Sequence, residues 1–195
     1  YTRPIDQQAS TEFSLTRFLT PTLAGNEGFA IFMDCDFLLQ ADILEVLNEI
    51  DPSKGVSVVQ HDYTPTSGMK MDGRFQYAYP RKNWSSFVVF NLNHKSVRGL
   101  TPLVVNTRSP AYLHRFSWID DTAIGSLRPT WNHLVGCYSA DMSTNPHAIH
   151  YTEGGPWFES YQNCDFASLW QNERLAMESH QALLGFTCDH CEAAA

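Results

Sequence analysis

Two carboxylates, Asp34 and Asp36, stand one residue apart behind an apolar run in "AIFMDCDFLLQADI", residues 30–43. A D-x-D pair on a strand-to-loop turn offers both carboxylates to one divalent cation. Oxygen donors suit Mg²⁺ or Mn²⁺, and an added imidazole moves the preference toward Mn²⁺. The bland alternative is a helix N-cap, with Asp36 or Asp42 holding the start of "ILEVLNEI". A second stretch, "HYTEGGPWFESY" (150–161), puts His150 ahead of a Gly154-Gly155-Pro156 turn that carries Trp157 and Phe158. Paired glycines let backbone amides approach a ligand closely, and a plain turn holding a buried tryptophan has the same look. A third, "YPRKNWSSFVVFN" (79–91), sets Asn83, Ser85 and Ser86 at the start of an apolar segment, where they could grip sugar hydroxyls or merely close the turn. Arg81 and Lys82 beside them are candidate phosphate contacts or solvated surface cations.

The elements that must position these residues read as alternating helix and strand. "STEFSLTRFLTPTLAG" (10–25) predicts a helix capped by Ser10 or Thr11, kinked or ended by Pro21 and stopped by Gly25. "FAIFM" (29–33), "GVSVVQH" (55–61), "SSFVVFN" (85–91) and "HAIHYT" (147–152) predict short buried strands. "ADILEVLNEI" (41–50), "SPAYLHRFSWI" (109–119) and residues 166–184 predict helices. Continuous apolar strands between helices imply an α/β fold, a mostly parallel sheet flanked by helices. Ligands of such sheets bind at the carboxyl ends of the strands. Asp34 and Asp36, then His61 and Asp62, then His150 all follow strand ends, so three strands deliver metal-capable side chains to one edge.

Composition narrows the function. With 195 residues the chain suits one domain. Lys plus Arg is 13 against 21 for Asp plus Glu, a net charge of −8, and no basic cluster exists, so nucleic acid is a poor partner. An anionic ligand would need a metal or backbone amides. No apolar run is long enough to span a membrane, and "YTRPIDQQAS" lacks the apolar core of a signal peptide. The chain does not begin with Met, so it reads as a piece of a longer one. The cysteine count of 5 is odd, Cys35 reads as a free buried thiol, and "CDHC" (188–191) lacks the second knuckle of a zinc site. A reducing, cytoplasmic compartment is the expectation, with a secretory-pathway anchor upstream of Tyr1 as the alternative.

The ordered set "STEFSLTRFL", "FMDCDFLLQADI", "KNWSSFVVFN", "WNHLVG" and "AIHYTEGGPWF" resembles GT-A glycosyltransferases. The similarity is to a plant, bacterial and algal-virus group related to the family 8 retaining enzymes. The resemblance runs from Tyr1 to about Asp165 and implies a Rossmann-like GT-A core over 1–165, followed by a C-terminal helix and tail over 166–195. It implies that Asp34, Asp36 and His150 bind Mn²⁺ (or Mg²⁺), which holds the diphosphate of a nucleotide sugar, a UDP-sugar by preference. It further implies that Asp62 and Asn83 hold the donor sugar; Lys82, Ser85, Ser86, Gly154, Gly155 and Trp157 are further substrate contacts suggested by the residues themselves. Asp120 or Asp121 would steady the cationic sugar, the acceptor would be a carbohydrate or other hydroxyl, and the anomeric configuration would be retained. Two departures stand out. Gly155 replaces the lysine that family 8 enzymes carry before Pro-Trp. The D-x-D also lies close to Tyr1, where a strand–helix–strand unit of about 30 residues would be expected first, so the chain corresponds to the later part of a catalytic domain.

Two other readings follow from the same residues. "FMDCDFL" is similar to the motif of haloacid dehalogenase-type phosphatases, in which the first Asp attacks phosphate; Lys70 or Lys82 and the Asp120-Asp121 pair would complete that site, and Leu38 departs from its pattern. A truncated, non-catalytic domain that binds a sugar nucleotide or serves as a scaffold is the non-enzymatic alternative.

Overall fold

The computed structural model describes residues 1–3, 14–25, 27–62, 80–138 and 145–183, together with the backbone of 68–69 and 75–76. Its strands are β1 (Phe29–Met33), β2 (Phe37–Leu39), β3 (Val56–Val59), β4 (Gly68–Met69), β5 (Phe75–Gln76), β6 (Phe87–Asn91), β7 (Ile124–Leu127), β8 (His133–Leu134) and β9 (Ala148–His150). The α-helices are α1 (Thr20–Leu23), α2 (Lys95–Arg98), α3 (Pro102–Thr107), α4 (Pro110–His114) and α5 (Ala167–Leu183).

The valine- and phenylalanine-rich runs form the central sheet, in the order β1-β6-β3-β7. Val58, Val88 and Phe90 pack on one side against Phe18, Val97, Val105, Leu113 and Phe116 from the helical segments. Val59, Phe87, Val89 and Leu127 pack on the other against Val46, Trp131 and Ala148. The sheet is thus covered on both faces, as the apolar strands require. Three of its four strands, β1, β3 and β7, run in the same direction, as expected of a mostly parallel sheet. β3 and β7 are parallel, but β6 runs antiparallel to both β1 and β3. An apolar run reports burial and carries no sign for direction. Burial itself is incomplete on β1, the end strand of this sheet, where Phe29 is 42% exposed.

A smaller sheet, β2-β9-β8, sits beside the first. β2 and β9 are antiparallel with Phe37 opposite His150, and β8 joins β9 in parallel. Leu38, Ile149, Val135 and Tyr151 make its core with Phe166 and Trp170. β4 and β5 pair as a separate antiparallel ribbon.

Several local elements are shorter than the sequence suggests. The helix expected over 10–25 is, among the described residues, a 3₁₀ turn (Thr16–Leu19) running into α1. Pro21 occupies the first turn of α1, where its missing N–H costs nothing. Gly25 takes φ +86° just beyond the end. The helix expected over 41–50 is a 3₁₀ helix, Ile43–Asn48. Its cap is Asp42, whose Oδ1 accepts from the Leu44 N–H at 2.9 Å. Asp36 is therefore not needed as a cap and lies in the turn before β2. Ser10, Thr11, Lys70 and the "CDHC" segment lie outside the described residues. α5 lies on the surface with no buried residue. No helix among the described residues is long and apolar enough to cross a membrane.

Candidate functional site

β1 ends at Met33, and the chain turns through Asp34-Cys35-Asp36 into β2. The Asp34 N–H is fixed by the Ser86 carbonyl at 2.9 Å, and the Asp36 carbonyl accepts from the Tyr151 N–H at 2.9 Å. Pairing of Phe37 with His150 then sets the imidazole beside the turn. One ligand atom each from Asp34, Asp36 and His150 lies within 4.8 Å of the others. His150 Nε2 is 3.3 Å from Asp36 Oδ1, and the ring stacks on Phe37 with centroids 4.2 Å apart. Cys35, expected to be buried, is free and exposed; the turn sends the flanking carboxylates inward and the thiol outward.

The surroundings fix the orientation of the His150 ring. Asn132, fully buried, donates through Nδ2 to the Asn83 carbonyl at 3.3 Å and to Ser86 Oγ at 2.9 Å. A carbonyl can only accept, so this fixes the amide's orientation and turns its Oδ1 toward His150 Nδ1, 2.9 Å away. Nδ1 therefore carries the ring proton, and the Nε2 lone pair is left for a cation. Replacing Asn132 by Leu is expected to weaken Mn²⁺ binding about 10–100-fold, measured by calorimetry, because the tautomer is no longer held.

Asp34 has a different partner. Arg17 reaches it with Nη2 at 2.9 Å from Oδ1 and Nη1 at 3.2 Å from Oδ2. Arg17 also donates to the Ser85 carbonyl at 2.8 Å and lies over the Phe32 ring at 5.0 Å. Burial raises the Asp34 carboxyl above its ordinary range, and Arg17 and then His150 oppose that rise. A carboxylate has about four lone-pair positions, so pairing with Arg17 still leaves Asp34 able to ligate. Two carboxylates and one oriented imidazole match the donor preferences of Mn²⁺ or Mg²⁺.

The remaining sequence candidates separate into groups. Asp62 is exposed beyond the carboxyl end of β3, on the same sheet edge as the D-x-D. Asn83, with φ +63°, holds the turn into β6, and its carbonyl accepts from Ser86 Oγ at 2.6 Å. Ser85 Oγ lies 2.9 Å from His114 Nδ1, and Ser14 Oγ lies 3.2 Å from His114 Nε2. Burial keeps that histidine neutral, its pKa lowered to about 3. Both serine hydroxyls thus have protein partners. Lys82 is buried, whereas Arg81 stacks on Trp84 at 5.2 Å and pairs with Asp121 at 2.6 Å. Asp120 caps the 3₁₀ turn Asp121–Ala123 through the Thr122 N–H at 2.8 Å. Both acids precede the amino end of β7, so the sheet does not gather them with Asp34, Asp36 and His150. Gly154, at φ +136°, already gives its N–H to the Tyr151 carbonyl at 2.8 Å. At Gly155 a Cβ would lie 2.1 Å from the Trp157 ring, so this glycine makes room for the indole. Trp157 is 36% exposed and packs against Tyr151, Phe158 and Trp170. Arg17 and Asn132 carry no local signal of their role, because both act through contacts distant in sequence.

The chain is 51% identical over 176 residues to Protein CDI of Arabidopsis thaliana, covering 89% of this chain and 68% of that protein. It belongs to the Protein CDI family. No family model matches the sequence. Solved structures similar to this family member include the bifunctional glycosyltransferase WbbM (TM-score 0.57, 17% identity, 83% of this chain and 35% of that one). The glycosyltransferase GlyE of Streptococcus pneumoniae TIGR4 follows (TM-score 0.55, 13% identity, 86% and 43%). An active-site mutant of LgtC is also similar (TM-score 0.52, 14% identity, 100% and 75%). The chain spans less than half the length of the WbbM and GlyE chains it matches. These likenesses show an α/β Rossmann-like GT-A fold with a central sheet and flanking helices.

Proposed function

We propose that this Protein CDI family member is a metal-dependent glycosyltransferase of the family 8 kind. It would move a sugar from a nucleotide-diphosphate sugar, a UDP-sugar by preference, to an acceptor hydroxyl. The observation that carries this reading is the Asp34–Asp36–His150 cluster at the carboxyl edge of a GT-A sheet. Those three residues would hold the cation, with Asn132 presenting His150 and Arg17 holding Asp34. Bound there, Mn²⁺ or Mg²⁺ supplies positive charge against the charge that builds on the departing diphosphate. Asp62, exposed on the same edge, would accept hydrogen bonds from donor-sugar hydroxyls. Trp157, part-exposed, would offer an aromatic face for a sugar ring or base. The phosphatase alternative loses support because the fold is that of the GT-A glycosyltransferases.

Calorimetric titration of the wild-type chain with UDP, with and without Mn²⁺, tests the reading. Binding that requires Mn²⁺ is expected. Absence of binding by UDP and by GDP, with the fold verified by circular dichroism, would remove the nucleotide-sugar assignment.

A further inference from the structure

His61 is not used by any step above, yet it is the second residue past β3 on the same sheet edge as the metal cluster. Its side chain is 7% exposed. Its backbone carbonyl accepts from Trp84 Nε1 at 3.3 Å, which anchors it beside the turn that Asn83 and Ser86 share with Asn132. Its Nδ1 lies 2.6 Å from the Tyr138 hydroxyl. Its Nε2 is buried and has no hydrogen-bond partner among the described residues.

The protonation of the ring follows from these contacts. Burial holds His61 neutral, its pKa lowered to about 3. Burial likewise raises the Tyr138 hydroxyl, so the phenol keeps its proton. A phenol donates better than it accepts, so its O–H points to Nδ1 and the ring proton sits on Nε2. The result is a buried, neutral N–H with no acceptor among the described residues. Such donors are rare in folded proteins, because leaving one unmade is costly. His61 is also outside the group whose ligand atoms converge, so it is not a further metal ligand.

We propose that His61 is a substrate-binding residue whose Nε2–H donates to an oxygen of the nucleotide sugar held at the Asp34–Asp36–His150 edge. This rests on the transferase reading. The oxygen belongs either to the diphosphate or to a sugar hydroxyl, and both are acceptors a neutral imidazole suits. Tyr138 fixes the tautomer, and Asp62, the next residue, faces solvent on the same edge.

The test uses the whole chain with Mn²⁺ and two probes, UDP and UDP-glucose. In wild type, ¹⁵N-resolved NMR of the histidine rings is expected to show the His61 Nε2–H proton moving downfield when ligand saturates. His61→Phe is expected to bind Mn²⁺ alone as wild type does, and to bind the probe about tenfold or more weakly. Weakening of both probes assigns the diphosphate; weakening of UDP-glucose alone assigns the sugar. Wild-type binding with an unmoved His61 signal overturns the proposal and leaves a water as the partner of Nε2. Equal affinity of a folded His61→Phe overturns it as well. Should that variant fail to fold, the wild-type NMR result decides alone. If wild type binds neither probe, the transferase reading fails and the role of His61 with it, an outcome distinct from binding that ignores His61.

Discussion

Asp36→Asn is expected to abolish Mn²⁺-dependent UDP binding and to lower sugar transfer by roughly 10²–10³-fold or more, the scale of losing one key electrostatic group in a preorganised site. Asp36 is a cleaner probe than Asp34, whose carboxylate is tied to Arg17. The fold should survive, since the turn is held through the Asp36 backbone carbonyl and the Tyr151 N–H, which the change does not touch. Thermal melts of the two proteins should therefore nearly coincide. A chelator should reduce wild type to the level of the variant and leave the variant unaffected. Full activity in Asp36→Asn, or activity of wild type that a chelator leaves intact, would refute the metal assignment.

Arg17→Met is expected to destabilise the protein by about 3–5 kcal/mol, the usual cost of leaving one member of a buried ion pair alone. The side chains of Arg17 and Asp34 are 9% and 15% exposed, so water cannot replace the lost partner. Combining it with Asp34→Asn should recover a large part of the loss, because the stranded charge is gone. Urea unfolding followed by tryptophan fluorescence measures both. Mn²⁺ should also stabilise Arg17→Met more than wild type, since cation binding would neutralise the carboxylate that lost its arginine. A loss under about 1 kcal/mol in the single variant would class the contact with ordinary surface pairs.

The sequence by itself determined the chemistry offered and most of the elements that offer it. Apolar runs at 29–33, 56–59 and 87–91 are short and bounded by polar turn residues, the pattern of strands in a covered sheet. A carboxylate that follows such a run must lie at a strand end, so Asp34, Asp36 and Asp62 were legible from local order alone, as was His150 at the end of "HAIH". The tertiary structure decided what those groups do to one another. Apolar runs carry no direction, so the antiparallel course of β6 was not written in them. The D-x-D spacing left a helix cap and a metal site open, and only the structure shows that Asp42 rather than Asp36 caps the 43–48 turn. The pairing of Phe37 with His150 joins residues more than a hundred positions apart, and that pairing brings the imidazole to the two carboxylates. Arg17 on Asp34, Asn132 on His150 and Tyr138 on His61 are likewise contacts between distant segments. Each fixes a charge state or a tautomer, and local sequence holds no record of which buried group will face which.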